Sequence, residues 1–78
     1  METHDLKCET EYFQAVESGK KKFEIRKNDR DFKRLDLVIL HEVVEGIYTG
    51  RSIRLPRIQY IMYGPVFGLA DGWCIFNW

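Results

Sequence analysis

Gly19-Lys20-Lys21-Lys22-Phe23-Glu24-Ile25-Arg26 is the stretch on which the reading of this chain turns. A glycine able to stop a helix is followed at once by alternating apolar and charged side chains, F-E-I-R over 23–26. That is the period of a half-buried strand. Side chains two apart on a strand point the same way, so the spacing predicts Lys22, Glu24 and Arg26 on one face. Phe23 and Ile25 are then expected to enter the core. An acid between two bases forms a local network. Glu24 can hold the Arg26 guanidinium in place, and its fixed fork then suits phosphate or a base edge. The alternative is an ordinary cross-face ion pair, worth about 0–1 kcal/mol when exposed. On the residues alone both readings stand.

Upstream of this stretch, 10–18 reads as a helix with Thr10 as N-cap, Phe13 and Val16 on one face and Gly19 as the stop. His4–Lys7 is a short opening strand. Downstream, Asn28-Asp29 is turn chemistry. Leu37-Val-Ile-Leu40 is a continuous apolar run, expected as a strand buried on both faces. Glu45-Gly46 and Thr49-Gly50 bracket a hairpin region around Ile47 and Tyr48. Residues 52–63 are mostly strand-like, with Pro56 implying an edge or a bulge. Gly64-Pro65 breaks the chain, 66–71 is a loop, and 73–78 closes as a strand.

Seventy-eight residues allow one domain. Size scaling gives roughly 5,000 Å² of folded surface against about 13,500 Å² unfolded, a thin core. With 45% apolar residues and no net charge, disorder is disfavoured. The expected class is α+β, mainly β: a small, closed or nearly closed β-barrel with one N-terminal helix over one opening. Closure would remove exposed strand edges.

Twelve basic and twelve acidic residues cancel, but they are segregated. Residues 1–19 carry five acids and one base, 20–34 carry eight bases and three acids, and the remainder three bases and four acids. A segment of +5 beside one of −4 points to a charged partner more than the neutral sum does. A solvated, solubilising face is the plainer reading of the lysine run.

Cys8 and Cys74 are far apart, and METHDLK offers no apolar leader segment. The expectation is a cytoplasmic chain with reduced thiols, no membrane span and no disulfide-linked partner. His4, Cys8, His41 and Cys74 lack metal-ligand spacing, so no metal and no cofactor are expected. Nothing positions a base against Ser18, Ser52 or either thiol.

The pattern G-x-K-x-x-E-x-R, filled by Gly19, Lys21, Glu24 and Arg26, resembles the signature of the ASCH domains (activating-signal-cointegrator homology) of the PUA-like superfamily. HDLKCETEYFQAVESGKKKFEIRKNDRDFKRLDLVIL, YTGR and YGPVFGL…GW together resemble a small bacterial and phage ASCH-like group with no assigned activity. The likeness covers essentially the whole chain. That group usually has glycine before the aspartate at position 36, where this chain has Leu35. The resemblance implies a PUA-like β-barrel with a cleft between helix and barrel, and RNA or a modified nucleoside as ligand. Lys21, Glu24 and Arg26 become the candidate site residues. Strict alternation places Lys21 away from Glu24, so Lys21 reaches the cleft only if the chain is still turning out of the Gly19 cap.

The neighbours fit a nucleic-acid groove. Lys27, Asn28, Arg30, Lys33 and Arg34 are candidates for phosphate contacts. Tyr48 and Arg51 offer a stacking plane and a further cation. Tyr63 and Phe67 could stack in the same way, but core positions are the leading expectation for both; Asp29 and Asp31 are expected as turn formers and partners of Arg30. The leading expectation is an RNA-binding module, with DNA also possible. Some ASCH domains resemble small amidohydrolases that deacylate N4-acetylcytidine-type nucleosides, and by that likeness Lys21 and Glu24 would be the catalytic pair. Here Glu24 stands where a hydroxyl residue is expected, and a segment for the third group is missing or very short. Those departures weigh toward binding. A protein-interaction module is the third reading.

Overall fold

The computed structural model describes all 78 residues. In chain order the elements are β1 (Thr3–Glu9), α1 (Thr10–Glu17), β2 (Phe23–Lys27), β3 (Leu37–Val44), β4 (Ile47–Arg54), β5 (Tyr60–Tyr63) and β6 (Trp73–Asn77). They form two three-stranded sheets, ordered β1-β3-β4 and β2-β6-β5. β1 runs parallel to β3, and every other pairing is antiparallel. The class is thus α+β and mainly β, as expected, with a folded surface of 5235 Å².

The ladders do not close into a barrel. Along one seam the backbone does join the sheets. The segment between β4 and β5 donates from Leu55 N to Val38 O at 2.9 Å and from Gln59 N to Asn77 O at 3.0 Å. Along the other seam, β1 and β2 present unpaired edges, and side chains bridge them. Arg26 Nη2 donates to Lys7 O at 2.6 Å and Arg30 Nη1 to Asp5 O at 3.1 Å. Edge carbonyls satisfied by guanidinium groups need no further strand. This is why an open seam is tolerated where strand-edge reasoning expected closure.

The core lies between the sheets and beneath α1. Phe13, Phe32, Phe76, Leu40, Val38 and Ile58 are among its fully buried members. Phe13 and Val16 share the buried helix face, three apart as the helical period requires. Gly19 ends the helix at φ +80°, a conformation that costs other residues about 1–2 kcal/mol. Thr10 does not cap its own helix. Glu9 holds the N-cap position without a side-chain bond, and Thr10 Oγ1 instead donates to Glu42 Oε2 at 2.7 Å. A buried carboxylate outcompetes a helix terminus that water can reach.

β3 alternates buried and half-buried residues and so is only partly covered on its second face. Glu45 and Gly46, both at positive φ, make a two-residue turn between Val44 and Ile47. Thr49-Gly50 therefore falls inside β4 rather than at its start. The register slips between His41 and Val43, and Gly50 lies in this bulge at φ +91°. Tyr63 and Phe67, expected in the core, are 44% and 95% exposed. Tyr63 uses its hydroxyl to tie β5 to Phe32 O at 2.6 Å.

Two buried acids hold the first sheet in place. Asp36 accepts from the backbone N–H groups of Glu2 and Lys33, each at 3.1 Å, and lies 2.8 Å from His4 Nε2. Burial alone would raise the Asp36 carboxyl, but the bonds from His4, Glu2 and Lys33 outweigh it and hold it below its ordinary value. Glu42 is held low by hydrogen bonds from Thr49 and Thr10. Both folded-state values lie below those of the unfolded chain, about 4. Their stabilisation is therefore complete above that range and lost as pH falls through the folded values. Acid titration monitored by circular dichroism is expected to show stability falling below about pH 5, with a shallower fall in Asp36→Asn.

Leu35 has φ +75°, left-handed and costly for a branched side chain. Leu35→Gly is expected to raise stability by about 0.5–1 kcal/mol, the relieved strain less the added unfolded-state entropy. A higher urea midpoint at unchanged slope would check it.

Candidate functional site

The open seam is also a cleft of about 630 Å³. Residues 6–9 of β1 form one wall and 23–27 of β2 the other, with Tyr12, Lys21, Asp29, Arg30 and Trp73 at the ends. Five of the lining side chains are cationic and three are carboxylates, so the cleft is net positive inside a neutral molecule.

Its hub is Glu24, only 5% exposed. The expected strand faces are inverted: Glu24 and Arg26 turn inward, while Phe23 and Ile25 are 45% and 49% exposed. A carboxylate and guanidinium that neutralise each other can occupy the inner face beside the open seam. Period-two geometry then sends Phe23 and Ile25 outward. Glu24 Oε2 accepts from Arg26 Nε at 2.9 Å, and Oε1 is paired with Lys21 Nζ. Lys22, expected on this face, is exposed and outside the cleft.

Lys21 reaches Glu24 because it precedes β2 and still belongs to the helix exit. Its N–H, like that of Lys20, donates to Ala15 O at 3.0 Å. Its ammonium also donates to Phe23 O at 2.7 Å and lies 5.0 Å from the Phe23 ring and 6.0 Å from the Tyr12 ring. Two of its three protons are thus engaged, leaving one for a ligand. Arg26 has used Nε on Glu24 and one Nη on Lys7 O, and its remaining N–H groups are donors without a partner in the chain. Cys8 lies in the β1 wall, and burial, then the Glu24 carboxylate, push its thiol above the ordinary value. Cys8 is therefore a weak nucleophile.

Lys21, Glu24, Arg26, Lys27 and Arg30 all line this cleft. Asn28 supports it from behind, accepting from Phe32 N at 2.8 Å while its own N–H donates to Gly72 O at 2.8 Å. That anchored turn carries Arg30 back over β1. Lys33 and Arg34 lie outside, bonded to Asp31 at 3.2 Å and to Gln59 O at 2.9 Å. Tyr48 and Arg51 do not line the cleft either. The bulge at Gly50 delivers Arg51 to Glu17 of α1, to Glu42 at 3.7 Å and over the Phe13 ring. Tyr48 touches the cleft only through Lys7, whose Nζ lies 5.5 Å from its ring.

Sequence reasoning missed Tyr12, Trp73 and the β1 wall. Tyr12 adjoins Phe13 on an amphipathic helix, a position that reads as solvent. Trp73 enters because it pairs with Lys27 across the β2–β6 ladder, a long-range pairing with no local signal. On the outer face of the first sheet, His41 Nε2 lies 2.8 Å from Asp5 Oδ1 and Ser52 stands opposite His41. No hydrogen bond joins Ser52 to His41, and none of the three lines the cleft. No three His, Cys, Asp or Glu side chains gather as a metal-ligand set, both cysteines are free and buried, and no helix is long and apolar enough to cross a membrane.

Removing the hub leaves Lys21 and Arg26 as uncompensated, partly buried cations. Glu24→Ala is expected to destabilise the fold by about 2–4 kcal/mol, toward the lower side of a fully buried pair because both cations keep some water. Urea denaturation measures this, and a loss below about 1 kcal/mol would place the network among exposed surface pairs.

Comparison with known proteins adds a family. An uncharacterized 12.9 kDa protein in the GpA 3′ region of Escherichia phage P2 is 48% identical over 50 residues, 64% of this chain and 46% of that protein. The match thus spans about half the length of that relative. Residues 3–78 match the family described as "Domain of unknown function (DUF3850)". That range takes in the helix, all six strands and both walls of the cleft, and the chain belongs to the DUF3850 family.

Proposed function

We propose that the cleft is a binding site for RNA or a modified nucleoside. The observation that carries this reading is one cleft of about 630 Å³ lined along its length by three aromatic residues (Tyr12, Phe23, Trp73) together with Lys21, Arg26, Lys27 and Arg30. Aromatic faces stack bases whatever their sequence, while cations and free guanidinium N–H groups hold phosphate. Glu24 keeps acceptor capacity on its carboxylate oxygens, suited to an exocyclic amine such as that of cytosine. The likeness of Gly19, Lys21, Glu24 and Arg26 to the ASCH signature supports the same ligand class. A PUA-like descent of the two-sheet fold, opened at one barrel seam, belongs to this proposal.

Because Lys21 and Arg26 are partly spent on Glu24, few cations remain for phosphate. Single-stranded RNA is expected to bind with a salt slope of only about −1 to −2, at about −0.7 per phosphate contact. Tryptophan fluorescence, from Trp73 in the cleft and Trp78 outside it, read against Trp78 alone in Trp73→Phe, supplies the readout during titration with RNA, DNA and modified nucleosides. Lys27→Ala is expected to weaken RNA binding and to flatten the salt slope by about 0.7. Absence of binding at low salt to every nucleic acid and nucleoside would overturn the reading in favour of a protein-interaction module.

A second reading, hydrolysis of N4-acetylcytidine, rests on the Lys21–Glu24 contact, which brings a proton carrier and a carboxylate together. Two engaged ammonium protons on Lys21 and a weakly nucleophilic Cys8 leave no free nucleophile beside them. Incubation with N4-acetylcytidine is expected to release no acetate, and Lys21-dependent release would establish the enzyme.

A further inference from the structure

The second sheet turns an apolar face to water. Its ladder registers Phe23 with Asn77 and Tyr60 in one row, Ile25 with Ile75 and Met62 in the next, and Lys27 with Trp73 in the last. None of these side chains is a carboxylate. Lys27 is the only charged one among them, and the exposed Lys22 directly precedes Phe23. Between Phe23 and Tyr60 lies a second cavity of about 160 Å³, a quarter of the main cleft, floored by Met62, Ile75 and Asn77. The two rings stand on strands separated by β6, whose backbones lie about 10 Å apart, so a planar ring entering the slot has an aromatic side chain on either hand.

Asn77 lies in that gap. Its Oδ1 accepts from Tyr60 N at 2.9 Å, which fixes the orientation of the amide. Nδ2 is then a donor with no partner in the chain, facing whatever enters. Phe23 belongs to both cavities, one wall of the cleft and one wall of the slot.

We propose that the slot between Phe23 and Tyr60 takes a second base of the strand held in the cleft. The preferred ligand is then a single-stranded oligonucleotide rather than a free nucleoside. The inference rests on the reading of the cleft as a nucleotide site. It is favoured over a protein partner by an aromatic pair flanking an amide donor, in rows whose only charged side chain is Lys27. Tyr60 is 64% exposed and its side chain makes no hydrogen bond, so it can be altered without disturbing the fold.

The test compares uridine 5′-monophosphate, the dinucleotide UpU and an oligouridine of about eight nucleotides at low salt, with wild type, Tyr60→Ala and Tyr60→Phe. The dinucleotide is expected to bind at least about tenfold more tightly than the mononucleotide, one base stack being worth about 1–3 kcal/mol. Tyr60→Ala should remove that gain and leave mononucleotide binding unchanged, while Tyr60→Phe should retain it. Equal affinity for all three probes, indifferent to Tyr60→Ala, would overturn the slot and leave the cleft reading intact. Absence of binding by every probe would overturn both. Sedimentation of the free protein supplies the remaining arm: a dimer lost in Tyr60→Ala would assign the face to self-association and overturn the proposal.

Discussion

Glu24 cannot leave water alone. A carboxylate with 5% exposure is tolerated only when both oxygens are compensated, and here Lys21 and Arg26 do so from opposite sides. Much else follows from that demand. Arg26 must lie on the inner face of β2, where its guanidinium also reaches a β1 carbonyl and ties the two sheets across the seam. Lys21 must come from outside the strand, because strand parity forbids it inside. With positions 24 and 26 turned inward, positions 23 and 25 have nowhere to go but the surface. The buried ion cluster, the seam and the exposed aromatic face are thus consequences of one choice of strand face.

Much of the fold was legible because its signals are local. The Phe13–Val16 spacing, the Gly19 stop and the F-E-I-R alternation each located an element within a residue or two of its observed bounds. What alternation does not specify is which of its two faces points inward. Hydrophobicity assigns Phe23 and Ile25 to the core, but a pair of opposite charges that neutralise each other can displace them. The charged side of the site was legible for the same local reason, since Lys21, Glu24, Arg26, Lys27 and Arg30 lie within ten residues. The aromatic side was not, because Trp73 and the β1 wall arrive by strand pairing and seam geometry. Tyr48 and Arg51 looked like neighbours of the cleft only while the bulge at Gly50 was unknown. That bulge gives Arg51 to the acidic cluster at Glu17 and Glu42.

The acids divide the structural work. Asp36 clamps the start of β1 to the turn before β3, and Glu42 fastens α1 to the β3–β4 pair through Thr10 and Thr49. Glu24 joins the helix exit to the second sheet. A chain too small for a deep apolar core thereby uses buried carboxylates as junctions, each bonded by donors from separate elements. The segregation of charge along the sequence is resolved differently on its two sides. The basic segment pairs mostly within itself, Lys21 and Arg26 with Glu24 and Lys33 with Asp31, and crosses the seam only to main-chain carbonyls, while Asp5 and Glu17 of the opening segment pair with His41 and Arg51.

The unequal construction of the two seams has a mechanical side. One is sewn by main-chain bonds from Leu55 and Gln59, the other only by the guanidinium groups of Arg26 and Arg30. Widening the first would break backbone bonds and expose core, whereas widening the second stretches two flexible side chains and leaves every ladder intact. The molecule is therefore stiff along one edge and compliant along the other, like a book bound at the spine. The compliant edge is the mouth of the cleft, so its width is set by side-chain torsions rather than by the fold.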